Sequence, residues 1–400
     1  MDIKKTISAL AQGTDKITSN DELEQKLLAS EKTKTPLRVK LGIDASGPDI
    51  HLGFAVVLRK LRNFQDFGHI AVLIIGDFTG SIGDPTGRSK TRPQLTEEQI
   101  KQNMARYKEQ VFKILKPEFT EFRYNSEWSN PLTGRDIINL ASKYTLARII
   151  EREDFSERLK QGIPLHVHEI LYPLFQGYDS VAVRADIELG GADQYWNLLV
   201  GRELQREFGQ EPQVVITMPL LEGTDGKLKM SKSYNNYIGI AEPAKEIFGK
   251  VMSIPDEMIT KYYTLCTNLS AEEIKTIGRE MKSGQNPKIY KERLGKELVT
   301  MYYSKEIAET TSKEFEEVFK LKKTPQDIQD FKLPTNPINI IELLVSAKLM
   351  PSKSEARRKI AEGAIEIDGE KIKDANYSVH VTNPKVLKAG KRSFCRLIPS

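Results

Sequence analysis

The sequence predicts an α/β chain whose first half is built on a parallel sheet, followed by a mainly helical region and a small α+β tail. Strand-like and helix-like stretches alternate from Leu37 to Ile75 and again from Pro164 to Thr217. Apolar positions between 240 and 335 mostly recur at helical spacing, and the last 65 residues combine two short helical patterns with a hairpin pattern. Four hundred residues with 39% apolar content can give two or three domains a core each.

Residues 1–35 read as a polar helical lead-in, and Leu37 to Asp44 alternates like a strand entering a sheet. After the turn-rich Ala45-Ser46-Gly47-Pro48-Asp49, the apolar positions Leu52, Val56, Val57, Leu61, Phe64 and Phe67 mark a helix with Gly68 as its C-terminal cap. Ala71 to Ile75 is a short buried-type strand opening into a glycine-rich loop. Strand, helix and strand at this spacing form a right-handed βαβ unit, whose ligands sit at the carboxyl ends of the strands, in loops 44–54 and 76–93. The second α/β stretch holds a helix, the pair Gly190-Gly191, a helix through Leu204 and the strand Val214 to Thr217.

Lys320 to Pro337, with three prolines and mixed charge, reads as a linker. Beyond it, Ile340, Leu343, Leu344 and Leu349 suggest a short helix. Ser354 to Glu362 suggests another, capped by Gly363, and Ala364 to Ile372 a hairpin with an Asp368-Gly369 turn. The expected domains are 1–225, 226–335 and 336–400.

Composition narrows the function. The longest apolar run, Ile70 to Ile75, is far short of the ~20 residues that cross a bilayer, and no apolar stretch follows Lys4-Lys5. A cytoplasmic protein without membrane contact is expected. Cys266 and Cys395 stand far apart with no metal-ligand spacing around them, so neither a disulfide scaffold nor a metal site is expected. Residues 336–400 carry twelve Lys/Arg against seven Asp/Glu, which accounts for the whole net charge of +5. A basic tail module points to a polyanion, nucleic acid first.

Two segments could hold phosphate. His51-Leu52-Gly53 begins a helix after a strand and a turn, where backbone N–H groups, a glycine and an imidazole can meet an anion. Such a triplet also arises by chance. Lys229-Met230-Ser231-Lys232-Ser233 places two lysines three apart on a loop that can match charge building on a transferring phosphate, although a solvated basic loop has the same composition. Tyr172, Gln176 and Asp179 recur at i, i+4 and i+7 and so share a helix face, which Pro173 must start or bend.

Together, His51-Leu52-Gly53-Phe54 and Lys229-Met230-Ser231-Lys232-Ser233 resemble the paired signatures of class I aminoacyl-tRNA synthetases. Gly76 to Arg88, Tyr172 to Asp179 and Gly190 to Gln194 resemble, in order, blocks of the bacterial-type tyrosyl-tRNA synthetases, in the subgroup with a Glu-Leu-Gly-Gly segment. The resemblance implies a Rossmann-like catalytic domain, an α-helical anticodon-binding domain and an S-four-like RNA-binding tail. Tyrosine activation by ATP and transfer to the 3′ end of tRNA(Tyr) are the implied activity, with Mg2+ accompanying ATP and a homodimer as the assembly.

The resemblance also implies roles. Asp179 contacts the tyrosine hydroxyl, Tyr172, Gln176 and Asp84 hold the α-ammonium, and Gln194 lies near the reacting carboxylate. Gly42 and Asp44 lie near the adenylate, His51 and Gly53 at the phosphates, and Asp193 on the ribose. Arg88 and Arg92 join Lys229 and Lys232 around pyrophosphate. A phenylalanine in this pocket would leave the Asp179 carboxylate unpaired, and strong hydroxyl discrimination is a known property of enzymes of this type. Lys353, Arg357, Arg358 and Lys359 are the implied tRNA contacts.

Three residues or segments depart from the family pattern. Phe54 stands where the signature usually ends in histidine, Ala45 to Pro48 replaces a different turn, and Lys40 replaces a tyrosine found in one branch. Phe54 keeps a second reading open, a catalytically altered synthetase paralogue acting mainly as an RNA-binding protein. A different nucleotidyl transferase would share the phosphate site without the lysine loop or the tail.

Overall fold

The computed structural model describes residues 2–43, 49–82, 105–320, 329–390 and 393–399. These fall into two compact units, 1–309 and 310–400. In the first, a six-stranded sheet is built from β1 (Lys16–Ile17), β2 (Arg38–Ile43), β3 (Ile70–Ile75), β4 (Thr120–Tyr124), β5 (Ile187–Gly191) and β6 (Val214–Met218). The spatial order is β1-β6-β5-β2-β3-β4, with only β1 antiparallel to its neighbour. The five parallel strands therefore end on one edge of the sheet, where ligands of such folds bind.

The expected βαβ unit is present: β2 and β3 pair in parallel from Arg38↔Ile70 to Ile43↔Ile75, and the helix Leu52–Asp66 connects them. Gly68, at φ +86°, ends that connection in a conformation that favours glycine. β2 does not alternate between a wet and a dry face, as its sequence suggested. Val39, Lys40 and Leu41 are all buried, because strands central to a parallel sheet are covered on both sides. Gly190-Gly191 ends a strand, β5, and the lead-in contributes β1 between its helices Ile3–Ala11 and Asn20–Thr33. Both strands escaped the sequence reading, β1 because two residues give no periodicity.

The helices Val167–Val183 and Tyr195–Glu207 pack closely. A Cβ on Gly177 would come within 2.9 Å of Leu204 Cδ1 and 3.1 Å of the Gly201 nitrogen. After β6 the chain is mainly helical, over Ala244–Met252, Ile259–Cys266, Ala271–Lys282, Pro287–Tyr302 and Lys305–Lys320. Tyr262, Tyr263 and Tyr302 are buried there as packing residues. Cys266 and Cys395 are free, buried thiols.

The second unit is a five-stranded sheet, β10-β9-β12-β13-β7, and a two-stranded one, β11-β8. The strands are β7 (Asp330–Lys332), β8 (Ile338–Asn339), β9 (Ile365–Ile367), β10 (Glu370–Lys371), β11 (Ser378–Val379), β12 (Lys385–Ala389) and β13 (Ser393–Ile398). β9 and β10 form the predicted hairpin, with Asp368 at φ +51° and Gly369 at φ +87° as a two-residue turn with both φ positive. The reading of 320–337 as a linker needs correction in its second half. β7 pairs in parallel with β13, and Leu333 belongs to the apolar core with Ile340, Leu343, Leu344, Ile360, Leu387 and Leu397. Three alternating residues among prolines gave too short a pattern to announce a strand.

Candidate functional site

His51 is the N-cap of the helix Leu52–Asp66, and its Nδ1 accepts from the Phe54 N–H at 3.3 Å. An accepting Nδ1 in a neutral imidazole places the proton on Nε2, leaving Nε2–H as the donor. Burial, assisted by the Lys232 charge, depresses the His51 pKa to about 4, so the ring is neutral at neutral pH.

The helix start differs from the expectation of free N–H groups awaiting an anion. Leu52 N–H donates to the Ile238 carbonyl at 2.8 Å, and Gly53 N–H meets Met230 Sδ at 3.3 Å. The cause is the lysine loop itself, which folds over this helix end. A Cβ on Gly53 would sit 3.3 Å from Met230 Cβ and 3.1 Å from His51 Nδ1, so glycine allows the two segments to meet. Segments about 180 residues apart in sequence are thus in direct contact, as the phosphate-site expectation requires.

Asn236 shapes the loop. Its Nδ2 donates to Asp225 Oδ2 at 3.1 Å and to the carbonyls of Leu228 and Lys229 at 3.2 and 3.3 Å, and its Oδ1 accepts from Ser231 N–H at 2.9 Å. Met230 is buried, which turns Lys229 and Lys232 outward on either side of it. Lys229 Nζ lies 2.9 Å from Asp193 Oδ2 and Lys232 Nζ 3.8 Å from Asp49 Oδ2. Asp193 follows β5, Asp49 precedes the His51 helix, and so the two lysines bracket the carboxyl edge of the sheet.

Gly42, near the end of β2, has open space where a Cβ would be, so no protein contact requires glycine there. Asp44, Asp84, Arg88 and Arg92 lie outside the described residues.

The helix Val167–Val183 carries Tyr172, Gln176 and Asp179, with Pro173 inside it rather than at its start. Tyr172 and Asp179 are buried. Asp179 Oδ1 accepts from Trp128 Nε1 at 2.9 Å and Oδ2 from Asn125 Nδ2 at 3.5 Å. Burial pushes the Asp179 carboxyl up to about 7, against the opposing effects of the Lys40 charge and these two donors. The sequence reading takes Asp179 as a carboxylate that meets the tyrosine hydroxyl, and its burial opposes that ionised form. Among the described residues Gln176 Oε1 is buried without a hydrogen-bond partner, an acceptor suited to a donor such as an ammonium. Gln194 Oε1 accepts from Asn197 Nδ2 at 3.0 Å, on the turn that also carries Asp193.

Sequence reasoning missed Asn125, Trp128 and Asn236. The bonds of the first two to Asp179 span 54 and 51 residues, while Asn236 acts within its own loop. Only the asparagine five residues past Ser231 lay close enough to a recognised motif to be suspected. Phe54 is half-buried, its ring edge-on to Tyr107 at 6.0 Å, in keeping with a packing role.

In the second unit, Lys353, Arg357, Arg358 and Lys359 lie on the helix Lys353–Ala361. Three of them have carboxylate neighbours: Lys353 with Glu342 at 3.6 Å, Arg358 with Glu355 and Glu362, and Lys359 with Glu362 at 2.7 Å. Arg357 is exposed and has no carboxylate partner among the described residues. Exposed pairs of this kind are weak and screened by solvent.

Among the described residues no cluster of His, Cys, Asp or Glu could hold a metal ion, and no helix is long and apolar enough to cross a membrane. With this geometry in view, residues 31–320 match the model of the class I tRNA synthetases for W and Y, and residues 320–397 match the C-terminal domain of SYY-like tyrosine–tRNA ligases. The chain belongs to the tyrosine–tRNA ligase family. The Thermotoga maritima tyrosine–tRNA ligase is 52% identical, covering 94% of this chain and 93% of its own. That of Moorella thermoacetica is 49% identical over 99% and 96%. Among solved structures, the Archaeoglobus fulgidus tyrosyl-tRNA synthetase complexed with L-tyrosine superposes with a TM-score of 0.62 at 23% identity, over 78% of this chain and 100% of that one. A C-terminally truncated mitochondrial tyrosyl-tRNA synthetase of Aspergillus nidulans gives 0.64 at 20% identity, over 79% and 94%. At such low identity these two speak for the fold, and the synthetases' parallel-sheet architecture is the one this family member has.

Proposed function

We infer that the chain is a tyrosine–tRNA ligase, which activates tyrosine with ATP and transfers it to the 3′ end of tRNA(Tyr). The observation that carries the reading is the contact of the His51–Gly53 helix start with Met230 of the lysine loop. That contact brings the neutral imidazole of His51 and the two lysines of the loop to one helix end, which supports a shared phosphate site in this reading.

In the first step a tyrosine carboxylate oxygen bonds to the α-phosphorus of ATP, and the bond from that phosphorus to the β-phosphate oxygen breaks, releasing pyrophosphate. The carboxylate is already ionised at neutral pH, so no general base is needed and catalysis rests on alignment and charge stabilisation. In our account His51 donates from Nε2 to a phosphate oxygen, while Lys229 and Lys232 leave Asp193 and Asp49 to meet charge on the departing pyrophosphate. Gly53 lets the loop and nucleotide approach, Gly42 lets the adenylate lie against β2, and Asp193 and Asp44 serve the nucleoside. Arg88 and Arg92 complete the pyrophosphate clamp in this proposal.

Asp179 receives the phenol O–H, Gln176 Oε1 accepts from the α-ammonium with Tyr172 and Asp84, and Gln194 lies beside the reacting carboxylate. Mg2+ enters as part of the ATP substrate. In the second step the terminal ribose hydroxyl of tRNA attacks the tyrosyl carbonyl and AMP leaves. Arg357, with Lys353, Arg358 and Lys359, contacts the tRNA backbone.

We also propose a homodimer. Ile138, Leu146, Leu159 and Val167 are 50–72% exposed, on helices or a helix start between β4 and the Asp179 helix. Large apolar side chains concentrated in one segment mark an association surface.

Purified protein with ATP, Mg2+ and tRNA should charge tRNA with radiolabelled tyrosine. Charging with a different amino acid would overturn the specificity. Binding of tRNA without any charging would favour the paralogue reading raised by Phe54.

A further inference from the structure

Lys40 and Glu188 form the most enclosed ion pair among the described residues. Lys40 Nζ lies 2.7 Å from Glu188 Oε1, with side chains 1% and 2% exposed. The two residues are register partners on β2 and β5. The ammonium also donates to Ser180 Oγ at 2.8 Å and to the Gln176 carbonyl at 3.3 Å, so its three hydrogens have three acceptors. Ser180 Oγ in turn donates to Glu188 Oε2 at 3.0 Å, and Gln213 Nε2 donates to the same oxygen.

A buried ion pair gains little over apolar side chains of the same volume, because both charges lose their hydration. Fold stability therefore does not account for a charge pair between two central strands. Its location does suggest a purpose. Gln176 and Ser180 flank Asp179 on the turn that faces the amino-acid pocket, and Lys40 binds both of them.

We propose that Lys40, held by Glu188, is a positioning residue for the amino-acid pocket: it pins the turn 176–180, and with it the Asp179 side chain, to the sheet. This rests on the reading of Asp179 as the acceptor of the tyrosine hydroxyl. The groups around Asp179 are Lys40 from β2, Glu188 from β5, and the neutral donors Asn125 and Trp128 beyond β4. Tyr172, Gln176 and Ser180 on its own helix carry no charge. Lys40 favours the carboxylate more strongly than Glu188 disfavours it. Burial favours the protonated form of Asp179, and a carboxylic acid is a poorer acceptor for a phenol.

The test is the pH profile of kcat/KM for tyrosine in pyrophosphate exchange, using the full-length protein and the double variant K40Q/E188Q. Removing both partners avoids an orphaned buried charge, and K40M/E188L offers a second, apolar replacement should the first not fold. The acid limb should move up by about one unit. Activity should fall about fivefold at pH 7 and about tenfold further down the acid limb, and recover at alkaline pH, with the melting temperature little changed. A loss that is the same at every pH, or no loss, in a folded double variant would overturn the proposal. D179N separates the two layers. If it keeps the preference for tyrosine over phenylalanine, the Asp179 reading falls; if it loses that preference while the pair variants leave the limb in place, only the role of Lys40 falls.

Discussion

His51 illustrates how a side chain that caps a helix also keeps a donor for the proposed chemistry. Its Nδ1 caps the helix while the same bond commits Nε2–H to donation, so protonation of the ring would break the cap and add a cation beside Lys232. Lys232 differs in kind: it is half-exposed, and its ion pair with Asp49, at 3.8 Å, is long and screened by solvent. Lys232→Ala should therefore slow adenylate formation about 100-fold while changing the KM for tyrosine less than about twofold, measured by rapid quench. Equal losses in both would deny it a transition-state role. His69 is a purely structural counterpart, with Nδ1 accepting from Leu37 N–H at 3.3 Å and Nε2 buried without a partner. Burial depresses its pKa to about 4, so the unfolded chain binds the proton more readily. Stability from this group is complete above about pH 6.5 and is lost as pH falls toward about 4, an effect on the order of 3 kcal/mol at most. Urea midpoints should show this slope, with His51 adding to it in the same sense, and His69→Gln should flatten it.

At the scale of elements, the pocket depends on how tightly two helices lie together. Gly177→Ala would drive a methyl into Leu204 and the Gly201 backbone, lowering stability by about 1–3 kcal/mol. Because Gly177 adjoins Gln176, the KM for tyrosine should rise in the same variant, measurable by exchange kinetics alongside a thermal melt. The sequence made much of this level legible. The βαβ unit and the hairpin at Asp368-Gly369 show in spacing and turn chemistry, and the two lysines show in a motif. What escaped was set by distant partners. Asn125 and Trp128 acquire meaning only when β4 brings them beside Asp179, and Lys40 resembles a misplaced charge until Glu188 is seen opposite it. β7 was hidden because its pairing with β13 joins residues more than sixty positions apart.

At the scale of the whole molecule, the proposed function divides between the two units. The first carries every described residue assigned to tyrosine and ATP, and the second carries the excess positive charge. Truncation should be made before β7, since a cut at 336 would leave Asp330–Leu333 without its sheet. A chain ending at Lys320 should form tyrosyl-adenylate at close to the full rate and yet charge tRNA poorly, with the remaining affinity less sensitive to salt. Undiminished charging would remove the tail from the account. The most direct test of the central claim, that one nucleotide site and one hydroxyl-reading carboxylate act together, is the exchange of labelled pyrophosphate into ATP by the purified protein with each of the twenty amino acids in turn. The account predicts exchange with tyrosine and essentially none with phenylalanine. Equal exchange with both, or exchange driven by some other amino acid, would contradict it.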